Sequence, residues 1–123
     1  MGVYEFVEED ISMWIVMNKL DVEKGKVDAV KARFQTTKGI ESMDGFIRMQ
    51  VLTDTTDETK DQVVIMTTWR DAASFENWRD SGAYKHAHKK RDDGTSEVKP
   101  VVLGNTVTQY EVAIEHIAST DHV

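Results

Sequence analysis

The stretch ISMWIVMNKL, residues 11–20, decides the fold of this chain. It is rich in β-branched and aromatic residues and contains no glycine or proline, which is typical of a β-strand. The alternation of a strand puts Trp14, Val16, Asn18 and Leu20 on one face and Met13, Ile15, Met17 and Lys19 on the other. Both faces are largely apolar, so we expect helices to cover one face of the sheet and a second sheet to cover the other.

An amphipathic helix is predicted directly after this strand. Asp21 is the expected N-cap, and Val27, Val30 and Phe34 recur at helical spacing among charged residues. Glycine at position 39 predicts the end of the helix near Lys38-Gly39.

Two further strands and a second helix follow. The Asp44-Gly45 turn precedes a strand over Phe46–Thr53, which a polar hairpin loop connects to an antiparallel strand over Gln62–Trp69. Asp71 is the expected N-cap of the second helix, which places Phe75 and Trp78 on one face.

The last third of the chain is predicted to be helix, loop and strand. After Ser81-Gly82 a helical stretch runs from Ala83 to about Arg91. A polar loop extends from Asp92 through Gly104, and the alternation from Thr106 to Ile117 predicts a final strand that includes His116.

The resulting order β-α-β-β-α-β is the α+β, ferredoxin-like split βαβ arrangement. Its helices cover only one sheet face, so the other apolar face needs a partner. We therefore expect a homodimer whose sheets face each other and close into an α+β barrel. A chain of 123 residues has room for one domain, predicted over 11–118, with an N-terminal extension over 1–10 and a tail over 119–123.

Composition excludes several classes of protein. A net charge of −7 disfavours a nucleic-acid-binding protein, which needs a cationic surface to replace phosphate counterions. The chain has no cysteine, so disulfides, thiolate metal sites and cysteine nucleophiles are absent. The longest apolar run, Met13–Met17, is far shorter than the roughly 20 residues that span a bilayer, and the first ten residues do not read as a signal peptide. We expect a soluble, cytoplasmic protein.

Candidate site residues occur singly, because no phosphate-binding, zinc-protease, calcium-binding or serine-hydrolase motif is present. Asn18 lies on an apolar strand face, and Trp78 and His88 lie on predicted helices. Taken alone, each has an ordinary structural explanation as a hydrogen-bonded or packed residue. His86 points roughly 200° away from His88 around a helix and belongs to a solvated face with neighbouring lysines.

Several segments around these residues resemble the IsdG-type haem-degrading monooxygenases of the antibiotic biosynthesis monooxygenase superfamily. The resemblance rests on the strand and turn Met17–Lys26, on Arg33-Phe34 with Lys38–Phe46, on Val64–Trp69, and on Ser74–Trp78 followed by Ser81–His88. The separation between Trp78 and His88 is the one that the family uses.

The resemblance implies a function and a role for each residue. Haem would be both substrate and cofactor, and its ring would be cleaved with dioxygen and electrons from an unknown reductase or small-molecule reductant, releasing iron and an open-chain tetrapyrrole. His88 would be the proximal ligand of the haem iron, Asn18 would donate a hydrogen bond to iron-bound oxygen, and Trp78 would distort the macrocycle. Phe34 would line the pocket or the core, and the candidates to bind the propionates are Arg33, Lys38 and Arg91.

Two other functions remain open at this point. One is a cofactor-free monooxygenase of the same superfamily that oxidises quinol-type substrates, which would not need Trp78 and His88. The other is a non-catalytic haem-binding dimer, in which His88 binds iron and the ring is never attacked.

Overall fold

A computed structural model of the chain describes residues 13–36, 39–81 and 101–119. Within these residues, four strands form one antiparallel sheet in the order β2-β3-β1-β4. The strands are β1 (Trp14–Glu23), β2 (Phe46–Asp54), β3 (Lys60–Trp69) and β4 (Val102–Glu111). The described part of the chain also contains the α-helices α1 (Val27–Ala32) and α2 (Ala72–Arg79) and a 3₁₀ helix (Ile40–Ser42). This strand order confirms the predicted ferredoxin-like arrangement.

The two faces of the sheet differ in burial. One face bears Val16, Leu20 and Val22 of β1, which pack against residues from the helices and are almost completely buried. The β4 part of the same face, which carries Val107, is exposed. The opposite face, which we call the outer face, carries Ile15 and Met17, both only half-buried. Hydrophobic burial is therefore concentrated on the helix side of the sheet.

The predicted hairpin and the cap of the second helix are confirmed. β2 and β3 pair antiparallel across the loop of residues 55–59. The Asp71 carboxylate accepts hydrogen bonds from the Ser74 N–H at 2.9 Å and from the Ser74 hydroxyl at 2.7 Å. Asp71 thus fixes the start of α2, the helix that carries Trp78.

The prediction for the end of β1 is wrong, because the strand continues past Leu20 to Glu23. Val22 is fully buried in the core, and Glu23 pairs with Lys60 on β3. Asp21 is consequently a strand residue and not a helix cap, and its Oδ1 lies 3.4 Å from Nζ of Lys60. Burial of Val22 in the core stabilises the extended conformation of the residues that follow Leu20.

Helix α1 is shorter than predicted and does not reach Gly39. It ends at Ala32, where the N–H groups of Arg33 and Phe34 bond to carbonyl groups three residues earlier, a tightening typical of a helix end. Phe34 therefore lies in the turn after the helix, packed against the core. Gly39 has a φ of 98° and precedes the 3₁₀ helix.

Strand β4 is shifted towards the N-terminus relative to its prediction. Gly104, predicted to be in a loop, pairs with Asp21, and the strand ends at Glu111, opposite Trp14. A strand forms ladder hydrogen bonds only where a partner strand runs alongside it. β4 therefore ends at Glu111, opposite the first residue of β1, Trp14. Residues 112–119, including His116, lie beyond the strand, with Ile114 and Ile117 exposed by 78% and 80%.

Several predictions lie outside the described residues. They concern residues 1–10, the helical stretch over 83–91 with His86 and His88, and the loop from Asp92 to Lys99. Among the residues that are described, no helix is long and apolar enough to cross a membrane.

Candidate functional site

The candidate site is built on the helix-facing side of β1, where one amide interrupts a row of apolar side chains. Asn18 is half-buried between Val16 and Leu20, each only 5% exposed. In the ladder it lies opposite Ile65 of β3 on one side and Val107 of β4 on the other. A polar group in such surroundings costs free energy unless it is hydrogen-bonded, so its partners matter.

Asn18 also lies between the two halves of the core. The first cluster consists of Val16, Ile40, Trp69, Phe75 and Trp78. The second consists of Leu20, Val22, Val30, Val63 and Ile65, with Phe34 packed against it. Since Val16 and Leu20 belong to different clusters, the amide lies at the boundary between them. The fold thus places Trp78 and Phe34 on the two sides of this boundary.

Trp78 is held rigidly at the end of α2. It is 8% exposed and belongs to the cluster that contains the edge-to-face pair of Trp69 and Phe75, whose ring centroids are 5.9 Å apart. The Ser81 hydroxyl donates to the Trp78 carbonyl oxygen at 2.7 Å, which closes the end of the helix. This packing fixes a large aromatic side chain in the core, ten residues before His88 in the sequence.

A second amide forms a hydrogen bond with Asn18. Nδ2 of Asn105, on β4, donates a hydrogen bond to Oδ1 of Asn18 at 3.1 Å. Within residues 13–36, 39–81 and 101–119, Nδ2 of Asn18 has no acceptor. The carbonyl end of the Asn18 amide is therefore occupied, and its N–H groups are available as donors.

A similar contact is formed farther along the same face of β4. Oε1 of Gln109 accepts a hydrogen bond from Nε1 of Trp14 at 2.9 Å. Sequence reasoning singled out neither residue: Asn105 lies just before the strand predicted from Thr106, and Gln109 lies within it. The period-two spacing of Asn105, Val107 and Gln109 was the available signal.

Arg33 and Phe34 are neighbours after α1 but have different surroundings. Phe34 is half-buried against the second cluster, whereas Arg33 is exposed and forms no ion pair with any described residue. An exposed guanidinium beside a half-buried ring can contact an anionic group on an otherwise apolar ligand. Lys38, His88 and Arg91, the other predicted site residues, lie outside the described part of the chain.

The residues that flank Asn18 on its face of β1, Val16 and Leu20, and those opposite it in the ladders, Ile65 and Val107, are not titratable. In the described part of the chain, no group of three or more histidine, cysteine or acidic residues could hold a metal ion. The arrangement offers an apolar surface with one oriented amide donor and a fixed aromatic ring.

Comparison with known proteins identifies the family. The antibiotic biosynthesis monooxygenase family matches residues 13–90. A heme oxygenase (staphylobilin-producing) from Staphylococcus haemolyticus is 34% identical over 95 residues, which cover 77% of this chain and 91% of that protein. A heme-degrading monooxygenase from Halalkalibacterium halodurans is 33% identical over 102 residues, covering 83% of this chain and 84% of that protein.

A solved structure shows the same fold. The heme-degrader MhuD from Mycobacterium tuberculosis, solved with two hemes in its active site, superposes with a TM-score of 0.60 at 18% identity, covering 84% of this chain and 98% of that chain. The family match and the two sequence relatives establish that this chain belongs to the antibiotic biosynthesis monooxygenase family.

Proposed function

We propose that this protein is a haem-degrading monooxygenase. It takes haem as substrate and cofactor, uses dioxygen and an external electron donor, and releases iron and an open-chain tetrapyrrole. Two relatives above 30% identity carry names for this activity, which supports the assignment. The external donor is a reductase or a small-molecule reductant.

The observation that carries the proposal is the oriented amide of Asn18. A haem is a wide apolar ring whose reactive centre is polar, so its site needs apolar walls and a polar group aimed at that centre. Asn18 supplies the donor, and the partly buried side chains that border the two core clusters, Trp14 and Phe34 among them, would supply the walls. Val107, opposite Asn18 and 51% exposed, adds apolar surface that a ligand would cover.

When bound, haem supplies the iron redox chemistry that activates dioxygen. The N–H groups of Asn18 stabilise the negative charge that develops on the reacting oxygen. Trp78, fixed in its cluster, would supply the bulk that contacts the haem ring. Phe34 packs against the ring, and Arg33, with Lys38 and Arg91 as further candidates, binds the propionates.

His88 completes the proposal as the proximal ligand of the haem iron. The neutral imidazole of His88 would bind the iron, and Asn18 would supply the hydrogen-bond donor to oxygen. We expect His88→Ala to lose the spectrum of the ligated ferric haem, while His86→Ala keeps it. The reverse result would show that His86, and not His88, binds the iron.

We further propose that the protein is a homodimer that pairs the outer faces of two sheets. Ile15, Met17, Val64 and Met66 are half-buried on this face of β1 and β3, and Leu52 on β2 is exposed. Apolar surface of this kind in a continuous patch is typical of a contact between subunits. Pairing would close the two sheets into a barrel.

An anaerobic haem titration, followed by air and ascorbate with catalase present, tests the function. Saturable binding near one haem per chain, then decay of the Soret band with appearance of a new chromophore, is the expected result. Catalase removes free peroxide, so bleaching by peroxide cannot imitate the reaction. No saturable binding would contradict haem degradation and favour the cofactor-free monooxygenase.

Substitution of Asn18 separates an enzyme from a haem carrier. Asn18→Ala should retain haem and lose most turnover, by about 10²–10³-fold, the range found when one donor to a developing oxyanion is removed. Turnover equal to that of the wild type would remove the amide from the mechanism.

A further inference from the structure

We propose that Asn105 is a positioning residue that sets the orientation of the Asn18 amide, so that Asn18 presents N–H donors and not its carbonyl oxygen to the reacting oxygen. The effect of Asn105 on the reaction rests on the proposed function. The orientation of the Asn18 amide rests only on the hydrogen bond between the two residues.

The contact is a diagonal one between neighbouring strands. Asn105 lies directly opposite Leu20, two residues along the helix-facing side of the sheet from Val107, which is opposite Asn18. Side chains on such diagonal positions are within reach of each other in an antiparallel pair. The donor is Nδ2 of Asn105 and the acceptor is Oδ1 of Asn18, 3.1 Å apart.

An asparagine amide has two ends of similar shape and opposite hydrogen-bonding character. Rotation by 180° about the last side-chain torsion exchanges them, so shape alone does not fix which end faces a ligand. With Oδ1 held by Asn105, the N–H groups of Asn18 are directed away from that bond. A flipped amide would present a carbonyl oxygen, which repels developing negative charge where an N–H group stabilises it.

Gln109 provides a matched control on the same face of β4. It uses its oxygen, Oε1, to accept from Nε1 of Trp14, whereas Asn105 uses its nitrogen to donate. Gln109→Glu therefore keeps its hydrogen bond to the indole. Asn105→Asp replaces the donor with a second acceptor and should pull Nδ2 of Asn18 towards the new carboxylate. Both variants add one negative charge to the same strand face.

The first readout needs no haem. In spectra of the haem-free protein labelled with nitrogen-15, the side-chain amide signals of Asn18 are assigned by their absence from Asn18→Ala. In Asn105→Asp, one Nδ2 proton of Asn18 should move downfield, since it gains a carboxylate acceptor. The Gln109→Glu variant should leave these signals in place. An unchanged Asn18 amide in Asn105→Asp would overturn the inference.

The second readout uses carbon monoxide as a probe of the ferrous haem complex. A hydrogen bond donated to the bound probe lowers its C–O stretching frequency, so Asn105→Asp should raise the frequency towards that of Asn18→Ala. Turnover of Asn105→Asp should fall by a factor close to that of Asn18→Ala, while haem binding persists. Asn105→Ala removes the donor without adding a carboxylate. Its turnover and its C–O frequency should therefore lie between those of Asn105→Asp and those of the wild type.

Turnover and C–O frequency in Asn105→Asp equal to those in Gln109→Glu would contradict the inference, because charge alone would then account for the effect. Failure of the wild type to bind haem would instead contradict the proposed function. In that case the spectra of the haem-free protein still decide whether Asn105 orients Asn18.

Discussion

At the scale of single residues, the proposed role of Asn18 implies that stability is exchanged for function. It occupies a strand position whose neighbours, Val16 and Leu20, are buried and apolar, and one end of its amide has no partner among the described residues. Such a group is less favourable there than a side chain that packs. Residues that lower stability at a site while supplying its chemistry are common in enzymes.

Asn18→Val tests this exchange. Valine suits a strand and matches the flanking side chains, so we expect the melting temperature to equal or exceed that of the wild type while haem turnover is lost. Thermal unfolding of the haem-free protein, with turnover measured separately, checks both. A clear drop in melting temperature would show that Asn18 is needed for the fold rather than for the site.

Asp61 is a buried carboxylate with a purely structural explanation. It is 3% exposed, and its two oxygens accept from Nζ of Lys24 at 2.7 Å and from the Gly25 N–H at 2.9 Å. The hydrogen bond from Lys24, followed by that from Gly25, lowers the pKa of Asp61 below its ordinary value. Lys24 also donates to the carbonyl groups of Thr55 and Asp57 and so ties the turn after β1 to the β2–β3 loop.

The lowered pKa of Asp61 predicts a dependence of stability on pH. Because the folded-state pKa lies below the unfolded one, the stabilisation is present in full above about pH 5 and is lost as pH falls through the folded-state pKa. Asp61→Asn should therefore lower the free energy of unfolding most at neutral pH, and its deficit should shrink towards acidic pH. Urea unfolding at a series of pH values from neutral to acidic measures this deficit in the free energy of unfolding.

Asp28→Asn is the control for Asp61→Asn, since the Asp28 carboxylate is exposed and lies 3.4 Å from Lys31. It should change the free energy of unfolding little at any pH. A deficit for Asp61→Asn that stayed constant with pH would contradict the pKa assignment.

At the scale of elements, the turn before β2 is fitted against the start of α2. Gly45 has a φ of 87°, and its carbonyl accepts from the Arg70 N–H at 2.7 Å. A Cβ added at this position would collide with the Ser74 side chain, which Asp71 holds in place. The turn and the first turn of α2 therefore constrain each other.

Gly45→Ala should destabilise the protein more than Gly25→Ala. Both glycines have positive φ, where alanine costs about 1–2 kcal/mol, but a Cβ at Gly25 would meet no atom within 4 Å. The difference in free energy of unfolding between the two variants isolates the collision with Ser74. Equal losses would mean that the turn and α2 can move apart freely.

The sequence predicts correctly those turns, hairpins and caps that are specified by residues close together in the chain. The Asp44-Gly45 turn, the β2–β3 hairpin and the Asp71 cap are each encoded within a few residues, and each is confirmed. The extension of β1 to Glu23 and the start of β4 at Val102 depend on which strand lies alongside, which local patterns do not report.

The same limit applies to the candidate site. Asn18 and Trp78 could be singled out from their residue types and from the resemblance of the surrounding segments. Asn105 could not, because its role follows from a contact with a residue 87 positions away in the sequence. The pairing of β1 with β4 creates that contact.

At the scale of the whole molecule, the outer face of the sheet is the surface through which we propose that two subunits pair. If two sheets pair through it, a charged side chain in its apolar part should separate the subunits, because burial of an unpaired charge is costly. Leu52→Arg should therefore halve the mass measured by light scattering after gel filtration. Thr53→Arg, on the same strand but on the opposite face and also exposed, is the control. A wild type that is monomeric at micromolar concentration would contradict the dimer.

The proposed function requires that dioxygen opens the bound haem ring at the site around Asn18. Its most direct test is the mass of the product from a single turnover under isotopically labelled dioxygen, with ascorbate and catalase present. When both reactions are stopped once the wild type has completed its turnover, we predict an open-chain tetrapyrrole that carries labelled oxygen from the wild type and mostly intact haem from Asn18→Ala. Intact haem from the wild type, or the same amount of labelled product from both proteins at that time, would contradict this account.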